Sequence, residues 1–149
     1  MKIAEETLTD ELLGELIALS RDWERENSCR GYRENERGDI EGRRVFTARE
    51  EGLLVGYCFG VIENAEEDST VMKKGTPYFE LEELYVVPSR RSQGLGRALF
   101  ACAEEALRGE TRHILLSTAT KDWRRILHFY IEELGMDFWS ARLFKEITG

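Results

Sequence analysis

Between Val86 and Arg97 the chain reads Val-Val-Pro-Ser-Arg-Arg-Ser-Gln-Gly-Leu-Gly-Arg, and few folds can house that run. The stretch Tyr78 to Val87 before it has the composition of a strand, ended by Pro88, which has no N–H to give to a ladder. After it, Leu95, Ala98, Leu99, Cys102 and Ala106 fall on one face of a helix that stops at Gly109. A loop between a strand end and a helix start leaves backbone N–H groups with no helical partner. Gly94 and Gly96 present no side chain to a ligand, the helix dipole favours an anion, and Arg90, Arg91 and Arg97 add positive charge. The pattern therefore demands an α/β chain with a site for a pyrophosphate. No Gly-Lys-Ser/Thr follows, as a P-loop requires, and no third glycine with a later acidic residue completes a dinucleotide fingerprint. Nucleotide hydrolysis and hydride transfer are thereby disfavoured.

The flanking sequence supplies the remaining elements. Lys2 to Glu5 reads as a short strand, and Thr9 as the N-cap of a helix carrying Leu12, Leu13, Leu16, Ile17, Leu19 and Trp23 at helical spacing. Glu26 to Gly42 is polar and reads as a loop or a short irregular helix. Val45 to Arg49 and Leu53 to Ile62 form a hairpin through Glu50-Glu51-Gly52. Glu63 to Pro77 is a long acidic connection of the kind that tends to be functional or mobile. His113 to Ser117 is a short buried strand. A second helical stripe runs through Trp123, Ile126, Leu127, Tyr130, Ile131 and Leu134 to Gly135, and Phe138 to Ile147 reads as a last strand.

Size and charge narrow the class. At 149 residues the expectation is one domain, 1–149, with 42% hydrophobic and 34% charged residues, the balance of a globular protein. The formal charge of −8 disfavours nucleic acid or an anionic membrane as partner and suits a cationic one. No apolar run approaches the roughly 20 residues that span a bilayer, and no signal-peptide core opens the chain, so a cytoplasmic address is expected. Cys29, Cys58 and Cys102 are widely spaced and read as free thiols, Cys58 and Cys102 as core, with no metal site. His113 and His128 lack a paired ligand or nucleophile and read as structural.

Arg91-Ser92-Gln93-Gly94-Leu95-Gly96 resembles the Arg/Gln-x-x-Gly-x-Gly/Ala signature of the GNAT superfamily of acetyl-coenzyme A-dependent N-acetyltransferases. Leu81-Glu82-Glu83-Leu84-Tyr85-Val86 resembles that family's fourth strand, and His128-Phe129-Tyr130-Ile131-Glu132-Glu133-Leu134-Gly135-Met136 its last helix, in the right order. The resemblance covers Arg43 to Lys145. It implies an α+β fold with a mixed, mostly antiparallel sheet of six to seven strands flanked by about four helices. It implies acetyl-coenzyme A as co-substrate, with no metal. The main chain of Leu84, Tyr85 and Val86 would pair with the pantetheine arm, and Arg91, Ser92, Gln93, Gly94, Leu95, Gly96 and Arg97 would hold the diphosphate. A backbone N–H near Val86 would stabilise the developing oxyanion. Where the family often places an asparagine at the start of the last helix, this sequence has Lys121-Asp122-Trp123-Arg124-Arg125.

The implied chemistry needs a base. An amine of reference pKa about 10.4 is mostly ammonium at neutral pH and has no lone pair with which to attack a thioester. Strand alternation puts Glu80 and Glu82 on one face and Glu83 on the other. By its place in Leu-Glu-Glu-Leu, Glu82 resembles the family's base or cation anchor, with Glu80 and Glu83 left open as the base, and Tyr130 resembles the acid that protonates the departing thiolate, the attacking ammonium being the other source of that proton. That transfer is uphill by roughly 2 kcal/mol from a tyrosine near ~10 to a thiolate near ~8.5.

The carboxylate-rich segments Glu26 to Gly42 and Glu63 to Pro77 are expected to shape the acceptor site for a small cationic amine. A protein or peptide amine, and a non-catalytic acyl-coenzyme A-binding module, are the competing readings. A homodimer through Phe138 to Ile147 is a further expectation.

Overall fold

The computed structural model describes residues 1–148. Five strands form one sheet in the order β1-β2-β3-β4-β5: Lys2–Glu6, Arg44–Glu50, Leu53–Asn64, Pro77–Val86 and His113–Leu115. The first four are antiparallel neighbours, and β5 lies parallel to β4. Helices α1 (Asp10–Glu26), α2 (Arg37–Ile40), α3 (Leu95–Leu107) and α4 (Trp123–Leu127) flank the sheet. This is the expected α+β architecture with a mixed, mostly antiparallel sheet and four helices, with five strands among the described residues in place of six to seven.

Helix α1 starts at Thr9, whose Oγ1 accepts the Leu12 N–H at 3.1 Å, and ends at Asn27 in the left-handed region. Its Leu12, Leu13 and Leu16 pack with Ile40, Val45, Tyr57 and Phe59 on one face of the sheet. On the other face Leu95, Leu99, Phe100, Ala103 and Leu107 of α3 pack on Phe46, Cys58, Phe79 and Leu81. Both faces are covered, which is why the strands carry apolar runs rather than strict alternation.

Two expectations fail here. Residues Phe138 to Ile147 form no strand, and Phe138, Trp139, Leu143, Phe144 and Ile147 stand 50–95% exposed. A strand exists only with a ladder partner, and among the described residues this segment has none. The stripe after Trp123 is not one α-helix: α4 widens into a π-helical turn over His128–Glu133, where the Leu134 N–H reaches back to the Phe129 carbonyl at 3.0 Å, and Trp123 is half exposed. Glu63 to Pro77 is the expected connection between two strands, and it is tied to them at both ends. The ends of β3 and β4 pair to Asn64 and Pro77, and the turn beyond is closed by bonds from Ala65 N–H to Thr76 O and Gly75 N–H to Ala65 O.

Candidate active site

Strand β4 decides the geometry. Its register against β3 slips between Phe59 and Gly60, so that Glu83 lies opposite Phe59, Leu81 opposite Gly60, and Glu82 is the extra residue of a β-bulge. Leu81 and Leu84 therefore both join the α3-side core, although strict alternation would put residues three apart on opposite faces. The same slip turns Glu83 toward the α1 side of the sheet, where Tyr57 and Tyr85 lie. The expected pairing of Glu80 with Glu82 on one face is lost for this reason.

Beyond the bulge β4 has an open edge. β5 pairs with it only across Tyr78–Glu80, so among the described residues the stretch from Glu82 to Val86 has no strand partner on that side. Val87 N–H donates to Val55 O at 2.9 Å, and antiparallel alternation then turns the N–H and C=O of Leu84 and Val86 toward the bare edge. The Val86 carbonyl accepts Arg91 Nε there at 2.8 Å. Tyr85 faces β3 with its main chain instead, and its ring, not its backbone, reaches the cavity.

The loop after β4 makes a 3₁₀ turn at Pro88–Arg90 and enters α3 through Gly94, whose φ of 80° suits glycine and whose missing Cβ would meet nothing within 4 Å. Ala98 is the first residue of α3 to bond back into the helix, to the Gly94 carbonyl at 3.0 Å. Among the described residues the N–H groups of Ser92, Gln93, Gly94, Leu95, Gly96 and Arg97 meet no protein acceptor. This cradle fits a diphosphate. Gly96 has a different reason to be glycine: an added Cβ would lie 3.2 Å from the Phe129 ring, so its bare face admits the last helix rather than a ligand.

The loop arginines are all engaged by the protein. Arg90 pairs with Glu50, Arg91 with Glu26 at 2.8 Å, and Arg97 donates to the Glu133 carbonyl at 2.7 Å. Leu95 is buried, so only its N–H is available to a ligand. The Gln93 amide donates to the Ser89 carbonyl.

Loop, open edge and last helix enclose a cavity of about 810 Å³, within the usual range for a small-molecule site. Its wall includes Glu82, Glu83, Leu84 to Val86, Arg91, Ser92, Gly94 to Arg97 and Tyr130, which gathers nearly all the residues expected from sequence; Gln93 is not in the wall. Glu26 and Ser28 to Tyr32 join them, but no residue from Glu63 to Pro77 does, so one of the two expected acceptor segments is absent. The hairpin pairing described above carries that segment away.

The two adjacent glutamates have different surroundings. Glu82 spends both oxygens on Arg43, Oε1 at 2.8 Å from Nε and Oε2 at 3.2 Å from Nη2. Glu83 receives Tyr57 O–H at 2.8 Å, Tyr32 O–H at 3.0 Å and Asn35 Nδ2 at 3.0 Å, all on Oε1. No donor among the described residues reaches its Oε2. Burial pushes the Glu83 carboxyl above its ordinary 4.5, the three donors pull it back in part, and the charge of Glu82 pushes the same way as burial. Burial likewise raises the Tyr57 and Tyr32 hydroxyls, so both stay protonated donors.

Tyr130 projects from the π-helical turn, partly buried, and burial raises its hydroxyl well above 10. It keeps its proton at any working pH. Trp23 stacks on Tyr32 at 4.2 Å and on Tyr85 at 5.2 Å, an aromatic wall that the sequence did not reveal. Tyr32, Asn35 and Tyr57 were missed as well. They lie 51, 48 and 26 positions from Glu83, and no local pattern links residues so far apart.

Residues 9–136 match the acetyltransferase (GNAT) family. No curated protein sequence matches the chain. Solved structures with the same fold include the BH1408 protein of Bacillus halodurans as a tetramutant, at 19% identity and TM-score 0.71 over 99% of this chain and 100% of that one. An aminoglycoside acetyltransferase, meta-AAC0020, from an uncultured soil metagenomic sample and bound to sisomicin, matches at 15% identity and TM-score 0.70 over 99% and 96%. Aminoglycoside N-acetyltransferase AAC(6')-Iy, in complex with coenzyme A, matches at 18% identity and TM-score 0.66 over 99% and 100%.

Proposed function

The chain belongs to the acetyltransferase (GNAT) family, and from that premise we propose that it moves an acetyl group from acetyl-coenzyme A to a primary amine of a small cationic molecule, by direct transfer in a ternary complex. One observation carries the reading: an open strand edge leads from a loop of unpaired N–H groups into the same cavity whose wall includes Glu83 and Tyr130. Acetyl-coenzyme A supplies an activated thioester when bound. The N–H groups of Ser92 to Arg97 hold its diphosphate, and the outward N–H and C=O of Leu84 pair with its pantetheine arm.

Within that site Glu83 takes the part the sequence reading gave to Glu82. Its Oε2 accepts an N–H of the substrate ammonium, aligns the nitrogen, and takes the proton as the nitrogen attacks. Glu82, with both oxygens on Arg43, fixes the bulge that aims its neighbour. The Val86 N–H stabilises charge growing on the acyl oxygen. Tyr130 gives its proton to the sulfur that leaves; its raised pKa keeps the hydroxyl protonated and makes the transfer to a thiolate near ~8.5 more uphill than from an ordinary tyrosine, a cost carried within the catalysed barrier.

A small cationic acceptor fits the Glu83 carboxylate in the cavity wall, which is paired with no cation among the described residues. The distant likeness to an aminoglycoside acetyltransferase bound to sisomicin points the same way. The test is release of coenzyme A thiol on mixing with acetyl-coenzyme A and a panel of aminoglycosides, polyamines and peptides. Turnover with aminoglycosides or polyamines is expected. Turnover with peptides alone, or with nothing, overturns the reading.

A further inference from the structure

The cofactor loop and the acceptor part of the cavity share one carboxylate. Glu26, the last residue of α1, meets Arg91 with both oxygens: Nη1 lies 2.8 Å from Oε1 and Nη2 3.0 Å from Oε2. The Tyr85 hydroxyl donates to Oε2 as well. Arg91 is steadied by its Nε on the Val86 carbonyl at 2.8 Å and by the Tyr85 ring, 5.3 Å below its guanidinium. Both partners line the cavity, and their side chains are only 35% and 23% exposed. Arg90 differs, because its partner Glu50 is not part of the cavity wall, and Arg97 rests on a neutral carbonyl. Arg91 alone among the three loop arginines is held by an anion that faces the acceptor.

We propose that Glu26 is an acceptor-binding carboxylate masked by Arg91 until the diphosphate of the cofactor takes the guanidinium away. The proposal rests on the acetyl-coenzyme A reading above. A guanidinium never sheds its charge, and its fork is satisfied by carboxylate or by phosphate. A diphosphate seated on the N–H groups that begin at Ser92 lies beside Arg91 and carries more charge than one carboxylate. Once Arg91 turns to it, Glu26 keeps the Tyr85 hydroxyl but loses its cation. A half-buried carboxylate without a counter-ion is unfavourable, and the cation then at hand is a second, non-reacting ammonium of the acceptor. Cofactor binding thus creates the acceptor site, the two ligands bind in that order, and each raises affinity for the other. Glu26 acts as a positioning residue and touches no reacting atom.

Calorimetric titration of coenzyme A into the full chain, its E26Q and R91Q variants and the double variant tests the exchange. With the competing carboxylate gone, E26Q binds coenzyme A about fivefold more tightly, the lower end of ordinary coupling between sites. R91Q binds it less tightly, and the double variant matches R91Q, because Glu26 acts only through Arg91. An E26Q affinity equal to the wild type's overturns the proposal. So does a gain that persists in the R91Q background, which marks a plain charge effect. The second arm titrates the amine that turns over fastest in the thiol-release panel, with and without saturating coenzyme A. Coenzyme A tightens amine binding in the wild type and no longer does so in E26Q; equal coupling in both overturns the acceptor half. Thermal melts establish that each variant is folded, and Glu26→Asp, which withdraws the carboxylate by one methylene, carries the same expectation should E26Q not fold. Failure of the underlying reading looks different: the wild type then gives no heat with coenzyme A and no thiol with any amine.

Discussion

Glu83 and Glu82 are adjacent and chemically identical, and their surroundings separate them. A carboxylate held at both oxygens by one guanidinium has no lone pair directed at a substrate, whereas three donors on a single oxygen leave the other oriented and free. Glu83→Gln is expected to lower kcat by about 10²-fold or more, in the range for loss of a general base, with coenzyme A affinity held within about twofold by calorimetry. Because the Glu83 carboxyl sits above 4.5, its ionised form gains population only as pH passes that raised value. The acid limb of kcat/KM should therefore have its midpoint above 4.5 and vanish in Glu83→Gln. The sign for stability is opposite: the folded state binds this proton more tightly than the unfolded chain, so the contribution of Glu83 is present at pH below 4.5 and is lost as pH rises through the raised value. A denaturant series against pH, comparing wild type with Glu83→Gln, measures it. Tyr130→Phe removes the proton donor and keeps the ring, and should lower kcat about tenfold to a hundredfold without moving coenzyme A affinity.

Two irregular elements aim these side chains. The bulge in β4 depends on close passage of β3, where a Cβ on Gly60 would lie 2.1 Å from the Glu80 carbonyl and 2.7 Å from the Phe79 ring. Gly60→Ala must push the strands apart. An expected loss of about 3 kcal/mol, the scale of severe overpacking, should appear in denaturant melts, together with a fall in kcat as Glu83 leaves its three donors. The π-helical turn His128–Glu133 is the second device. Its wide winding brings Phe129 against Gly96 and sets Tyr130 in the cavity wall. Gly96→Ala tests that contact: the Phe129 ring must give way at 3.2 Å, and the resulting shift should lower kcat more than it lowers stability.

For the molecule as a whole, the unpaired tail is the feature least at ease in water. Phe138, Trp139, Leu143, Phe144 and Ile147 expose five large apolar side chains within ten residues, and β5 leaves a bare edge on the sheet. Exposed apolar strand-formers and an open edge attract each other between chains. We expect two copies to cover these surfaces, giving by light scattering a mass near twice 17.3 kDa, and removal of residues 137–149 to return the monomer mass. A monomer mass for the intact chain at micromolar concentration sinks that expectation. The negative charge spread over the surface bears on this too, since raised salt should strengthen such an apolar association rather than weaken it.

How much was legible follows from the range of the forces involved. The run from Pro88 to Arg97, the Thr9 cap and the apolar stripes of α1 and α3 were written locally, because proline, glycine and a helical period act within a few residues. The loop of unpaired N–H groups was readable for the same reason. The choice between Glu82 and Glu83 was not, since a bulge is a mismatch between two strands and neither strand carries it alone. The donors around Glu83, the hold of Glu26 on Arg91 and the absence of a last strand in the single chain all depend on which distant segments meet. Sequence determined most of the elements and the character of the loop; only the tertiary structure decided which carboxylate keeps an unpaired oxygen, because desolvation and hydrogen bonding are properties of assembled neighbours.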